Sequence, residues 1–273
     1  MLDFSIDEER CIQCGECAAD CPAACISLDN GYPEINEKRC IRCQHCLAVC
    51  PTAALSILGK NPDDSQPINP NVLPHPQEME TLLKTRRSVR RYKTEPVPKA
   101  TIHHLVETLG ACPTGMNARQ TLFTVVDDPA VMDELRERTL TRVKEVMQDP
   151  GLPQGLEIIA KYVAAGDKLG MDIFYRGAPH LLVASCPQSA PTPEADCLIA
   201  LSQFELLAVS HGLGTVWDGL AKWAINHIAP DLRQWLGIPE DHVFGYAMAF
   251  GSPAASYYRT VQHDTPGINV VQG

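Results

Sequence analysis

Cys11-Ile12-Gln13-Cys14-Gly15-Glu16-Cys17-Ala18-Ala19-Asp20-Cys21-Pro22 and Cys40-Ile41-Arg42-Cys43-Gln44-His45-Cys46-Leu47-Ala48-Val49-Cys50-Pro51 are two copies of one pattern, C-x2-C-x2-C-x3-C-P, set 29 residues apart. An arginine, Arg10 or Arg39, precedes each copy. Nine of the 12 cysteines in this 273-residue chain lie in the first 60 positions. Such density suits either a secreted disulfide scaffold or a metal site. The stretch Met1 to Asp7 lacks the basic-then-apolar pattern of a signal peptide, so metal and a cytoplasmic location are expected. Structural zinc takes four ligands in two pairs, not two runs of four, each closed by proline. Three thiolates spaced by two residues fit one tight loop, and the fourth arrives from beyond a turn that the proline ends.

Outward from the repeat, Ile26 to Ile35 reads as a hairpin around Asn30-Gly31. Cys25 falls opposite Ala54 in the repeat, so nothing in the pattern asks for it as a ligand. It reads as a small buried apolar residue, as do Cys112, Cys186 and Cys197. Residues 61–79 are rich in proline and polar side chains and read as an extended linker. The net charge of −10 excludes a broad nucleic-acid-binding surface, and no run approaches the roughly 20 apolar residues of a membrane span.

The repeat resembles the two-[4Fe–4S] bacterial ferredoxins, in which the fourth cysteine of each run ligates the other run's cluster. By that resemblance Cys11, Cys14, Cys17 and Cys50 hold one cluster, and Cys40, Cys43, Cys46 and Cys21 the other. It implies a (βαβ)2 iron–sulfur domain over residues 1–60.

Beyond the linker the pattern turns to mixed helix and strand. Ile102, Leu105, Val106 and Leu109 recur on one helical face that stops at Gly110. Strands are expected at 122–126, 180–184 and 243–250, and helices at 129–148, 155–170 and 194–211. Gly212-Leu213-Gly214 follows a helix and lacks a third glycine, so a Rossmann nicotinamide site is unsupported. Residues 81–100 carry seven basic side chains against one acid, centred on Arg86-Arg87-Ser88-Val89-Arg90-Arg91. Guanidinium forks beside a hydroxyl suit a phosphate monoester.

That opening, with Pro113-Thr114-Gly115-Met116-Asn117, Arg176-Gly177-Ala178-Pro179 and Gly212 to Gly219, resembles the nitroreductase family of FMN flavoproteins over about residues 80–260. The resemblance implies an α+β domain over residues 80–273, with a mostly antiparallel sheet flanked by helices. It implies that Arg86, Arg87, Ser88 and Arg90 hold the FMN phosphate and ribityl chain. Pro113, Thr114, Gly115, Met116 and Asn117 would reach the flavin of the partner in a homodimer with FMN at its interface. Trp217, Asp218 and Gly219 would lie along the isoalloxazine. Many family members carry a basic pair near the C-terminus, where this chain has Tyr257-Tyr258-Arg259; Arg259 is the candidate there.

Together the two resemblances imply an oxidoreductase that passes electrons from two [4Fe–4S] clusters to FMN and on to a nitro compound, quinone or activated alkene. A ferredoxin or another low-potential donor would supply them. Two alternatives stand beside it: a subunit relaying electrons between proteins, and an NAD(P)H-dependent flavin reductase with the clusters as exit route.

Overall fold

The computed structural model describes residues 1–149, 151–264 and 266–272. The chain forms two units: Met1–Leu73 with Met116–Ala118, and Pro74–Gly115 with Arg119–Gly273.

In the first unit the sequence repeat is also a backbone repeat. Its elements are β1 (Ser5–Ile6), α1 (Glu16–Ala19), β2 (Ile26–Ser27), β3 (Glu34–Ile35), α2 (His45–Val49) and β4 (Leu55–Ser56). β1 pairs antiparallel with β4, and β2 with β3 around the expected hairpin. Left-handed residues recur at the 29-residue interval: Gln13 and Arg42, Gly15 and Gln44, Ala24 and Ala53. Only one of these six, Gly15, is glycine, so the strain of the others must be held by what the loops enclose. The core is small, and three of its eight buried members are Cys17, Cys25 and Cys46. So little apolar burial is marginal for a segment of this length unless ligation adds to it.

The expected linker is more structured than its composition suggests. Short 3-10 turns occupy Pro62–Asp64 and Pro70–Val72, each capped by the preceding asparagine. Arg10 Nη1, which donates to both Asp63 carboxylate oxygens, fastens the first of them within the unit. A helix, α3 (Pro76–Thr85), starts inside the stretch expected to be extended. Pro76 takes the first helical position, where its missing N–H costs nothing, and Glu78 accepts the His75 amide at 2.8 Å.

The second unit continues with α4 (Lys99–Thr108), β5 (Leu122–Val126), α5 (Pro129–Gln148), α6 (Ile158–Leu169) and β6 (His180–Pro187). It closes with α7 (Pro193–Ser210), β7 (Gly214–Trp217), α8 (Gly219–Trp223), α9 (Asp231–Trp235) and β8 (His242–Gly251). The sheet runs β5-β6-β8-β7, antiparallel throughout. Strand alternation divides the core: Leu181, Val183, Ala247 and Ala249 face the α5–α6 side, and Leu182, Ala184, Met248 and Phe250 face α4 and α7. The basic segment lies along β7, where the Val89 amide donates to the Thr215 carbonyl at 2.8 Å and Ser88 bridges Thr215 in parallel.

That approach depends on Gly214. A Cβ there would meet Val89 Cγ2 at 2.5 Å. Gly214→Ala should therefore destabilise the second unit by roughly 1–3 kcal/mol through overpacking. Denaturant unfolding should show part of that loss recovered in Gly214→Ala/Val89→Ala; equal stability of wild type and the single variant would count against the contact.

Candidate functional site

Cys11, Cys14, Cys17 and Cys50 line one small cavity with Ile6, Leu28 and Leu55. The three thiols of the first run thus meet the last of the second. On the other side Cys21 Sγ lies 3.4 Å from Cys25 Sγ, and Cys40 also neighbours Cys25. Burial pushes the Cys46 thiol up to about 11, with Cys43 and Cys40 beside it adding to the shift. Backbone donors converge on sulfur in the repeat register: Cys25 N–H on Cys21 Sγ at 3.4 Å and Ala54 N–H on Cys50 Sγ at 3.2 Å. Burial opposes ionisation of Cys21 and Cys50, yet these donors outweigh it and lower both thiols. Among the described residues no three Cys, His, Asp or Glu side chains converge on a single-ion site. Two groups of neighbouring thiols, one of them around an apolar-walled cavity, each with an N–H donor on one sulfur, fit clusters of several metal atoms with anionic sulfur ligands. Cys25 is buried as expected, but among the thiols and not apart from them; burial above all pushes it up to about 12.

The basic island is ordered by one acid that the sequence did not single out. Glu205 on α7 is 6% exposed. Its Oε1 accepts from Arg86 Nη1 at 3.1 Å and from the Thr215 hydroxyl at 3.3 Å, and its Oε2 from the Trp217 indole at 3.1 Å. Among the described residues Arg87 and Arg90 have no carboxylate partner; Arg90 Nη1 only reaches the Ser88 carbonyl at 3.4 Å. Arg259 is exposed and is not brought to the island by any hydrogen bond or ion pair among the described residues.

The segment at 113–117 is held from two sides. Asp196 Oδ1 accepts from the Gly115 amide at 3.0 Å and from the Thr192 hydroxyl at 2.8 Å, while Thr114 Oγ1 accepts from the Arg119 amide at 3.0 Å. A Cβ at Gly115 would meet Thr192 Oγ1 at 2.1 Å, so only glycine fits. Pro113 and Met116 are exposed, and Met116 and Asn117 are left-handed. Within the first unit the Asn117 amide donates to the carbonyls of Ile41 and Arg42, both at 3.1 Å. Asn117 thus has partners beside the second cysteine run, which its expected flavin role did not anticipate.

Trp217 ends β7, with its ring edge-on to Tyr246 at 5.3 Å, and Gly219 begins α8. The first amide of a helix has no acceptor within it, so Gly219 carries an available donor. Asp218 between them is inward-facing and 5% exposed. Its amide donates to the Ala247 carbonyl at 2.8 Å, so that N–H is committed to the sheet. Its Oδ1 caps α8 through Ala221 N–H at 2.9 Å, and Oδ2 is buried with no partner.

Residues 83–252, well over half the chain, match the model of the nitroreductase family. The chain belongs to the nitroreductase family. Residues 4–58 match a 4Fe–4S dicluster domain, so an iron–sulfur domain is joined to the family's own fold. The chain is 42% identical over 57 residues to the iodotyrosine deiodinase of Danio rerio, which covers 21% of this chain and only 19% of that protein. Similarity to the Thermotoga neapolitana iodotyrosine deiodinase is 26% over 135 residues, covering 50% of this chain and 70% of that one. A Bacteroides fragilis nitroreductase crystallised with bound FMN shares the fold, with a TM-score of 0.58 and 24% identity over 71% of this chain and 99% of that one.

In this member of the family a fourth acid, Asp172, shapes the Arg176–Pro179 motif. It accepts from the amides of Phe174, Tyr175 and Gly177 at 3.0–3.1 Å and from Arg136 Nε at 3.1 Å. Between α5 and α6 lies a cavity of about 500 Å³ whose walls include Leu140, Val163, Ile173 and Phe174.

Burial raises the Asp218 carboxyl from 3.8 to about 7, against the pull of the Ala221 amide; Asp172 adds to the rise and Arg176 opposes it. Between about pH 4 and 7 the folded protein then holds a proton that the unfolded chain releases, so stability falls as pH rises through this window. Asp218→Asn keeps an acceptor for Ala221 and removes the titration. Its stability relative to wild type should climb by up to about 1.4 kcal/mol per pH unit between pH 4 and 7, then level off. A pH-independent difference in thermal unfolding would show that Asp218 ionises normally.

Proposed function

We propose that the chain is an oxidoreductase that takes in electrons singly at its cysteine-rich unit and delivers them in pairs to a small-molecule acceptor at an FMN held by the nitroreductase unit. The observation that carries this reading is the cavity shared by Cys11, Cys14, Cys17 and Cys50, in a chain whose larger unit is a nitroreductase. An iron–sulfur cluster exchanges one electron, and a flavin stores two and gives them up as a hydride equivalent.

The residues present fit both groups. Cys11, Cys14, Cys17 and Cys50 would hold one [4Fe–4S] cluster, and Cys40, Cys43, Cys46 and Cys21 the other, with backbone N–H groups stabilising the thiolates. Arg87 and Arg90, without carboxylate partners among the described residues, would bind the FMN phosphate with Ser88, and Arg86 would stand beside them on its tether to Glu205. The Gly219 amide and the Trp217 ring would orient the flavin from one protomer. Pro113, Thr114, Gly115 and Met116 would close over it from the partner of a homodimer, with Asn117 and Arg259 as further contacts. The α5–α6 cavity would admit a nitro compound, quinone or activated alkene.

Anaerobic reduction of the flavin by reduced ferredoxin, NADH or NADPH tests the route. Fast reduction by ferredoxin, lost when the cysteines are replaced, is expected. Reduction by a pyridine nucleotide alone, unaffected by loss of the clusters, would sink the proposed direction. A halogenated phenol belongs in the acceptor panel, given the similarity to iodotyrosine deiodinases.

The crossed ligand sets have their own test in iron and sulfide content. Cys14→Ala/Cys50→Ala should lose about half the iron, no more than either single variant, because both lesions fall on one cluster. Cys14→Ala/Cys21→Ala should lose nearly all of it. The reverse ranking would mean that each run closes its own cluster.

A further inference from the structure

We propose that Glu205 is the residue that sets this chain's preference for a phosphorylated flavin, by fixing the fork of Arg86; this rests on the FMN reading above. The argument starts from burial. A carboxylate 6% exposed is costly unless its oxygens meet donors, and here they meet three, from Arg86, Thr215 and Trp217. Those donors come from two of the segments expected to hold FMN, the basic island and the strand leading to Gly219, while Glu205 itself sits on α7 and faces neither solvent nor the island's outer side.

The geometry leaves Arg86 one bond to Glu205 and its side chain 33% exposed. A guanidinium has five N–H donors in a rigid plane. Anchoring one nitrogen therefore orients the donors that remain, and removes most of the rotamer freedom that an unpaired arginine would lose on gripping an anion. The ion pair also keeps the Trp217 indole and the Arg86 fork in fixed relation, since both are bound to the same carboxyl group. Glu205 is thus a positioning residue. Its negative charge, taken alone, opposes a phosphate, and so the sign of its effect separates the two roles.

Full-length protein, stripped of flavin but carrying its clusters, is titrated with FMN and with riboflavin, following flavin fluorescence. Wild type should favour FMN. Glu205→Ala should weaken FMN by about tenfold or more, the scale of one charge-assisted hydrogen bond, and shift riboflavin by less than about twofold. A merely structural role would weaken both flavins alike. Arg86→Ala/Glu205→Ala should be no worse for FMN than the larger single effect, because the two residues act through one contact. Where Glu205→Ala unfolds the unit, Glu205→Gln carries the test: weaker FMN binding supports positioning, and equal or tighter binding overturns it. Wild-type binding of FMN with an unchanged preference in Glu205→Ala overturns the Glu205 proposal alone. A wild-type chain that binds neither flavin sinks the FMN reading and this proposal with it.

Discussion

A carboxylate removed from water must be met by hydrogen-bond donors, and in the nitroreductase unit the donors are the loops of the candidate site. α7 carries two such acids, Asp196 and Glu205, nine residues and about 13 Å apart along the helix axis. Asp196 holds the Gly115 amide, and Glu205 holds Arg86 and Trp217. Asp172 gathers the amides before Ala178, and Asp218 caps the helix that Gly219 begins. Each of the four segments that resemble the family is therefore tied to an acid in or near the interior. Loops held by packing alone would leave these positions loose. Low-dielectric hydrogen bonds fix them, because losing one leaves an unsatisfied charge.

The iron–sulfur unit solves a similar problem with sulfur. Its strands are two residues long and its helices at most five, too short to be stable by propensity or pairing. What recurs at the 29-residue interval is a set of left-handed turns that aim backbone N–H groups at Cys21 and Cys50. Strained turns of this kind persist where the anion they face repays the strain, and thiolates are such anions. Ligand binding and folding are in this unit largely the same event.

Periodicity made most of the architecture legible. The strand at 122–126, the helices at 129–148 and 194–211, and the strand ending at Gly251 appear within a residue or two of expectation. β7 was hidden, because four residues opening with glycine carry no alternation to read. α3 was hidden by its prolines, since a proline ends one helix and begins another with equal ease. Of the candidate site, the cysteine repeat was visible from its spacing and the basic island from its charge. Glu205 and Asp196 were not. They sit on a helix whose buried face is otherwise apolar, and one sequence cannot show whether an acid there points to solvent or inward until the loops that supply its donors are placed. Asn117 shows the same limit: its flanking motif was readable, but its partners, two carbonyls some 75 residues earlier, were not.

Glu205 and Asp218 lie on either side of the same strand end and meet burial in opposite ways. Glu205 has donors for both oxygens, one of them a guanidinium. Asp218 has one backbone donor for Oδ1 and nothing for Oδ2, and burial raises it to about 7. The pair Arg86–Glu205 sums to zero, and at a pH below about 7 Asp218 adds no charge to it. Among the described residues Arg87, Arg90 and Arg91 of the island have no carboxylate partner and keep their donors for an anion. Ionising Asp218 would place a new negative charge in the interior beside Tyr92 and Tyr175, whose hydroxyls burial already holds far from ionisation. Of these two acids one is met by a cation and the other holds a proton below about pH 7, so neither leaves an uncompensated charge at this strand end.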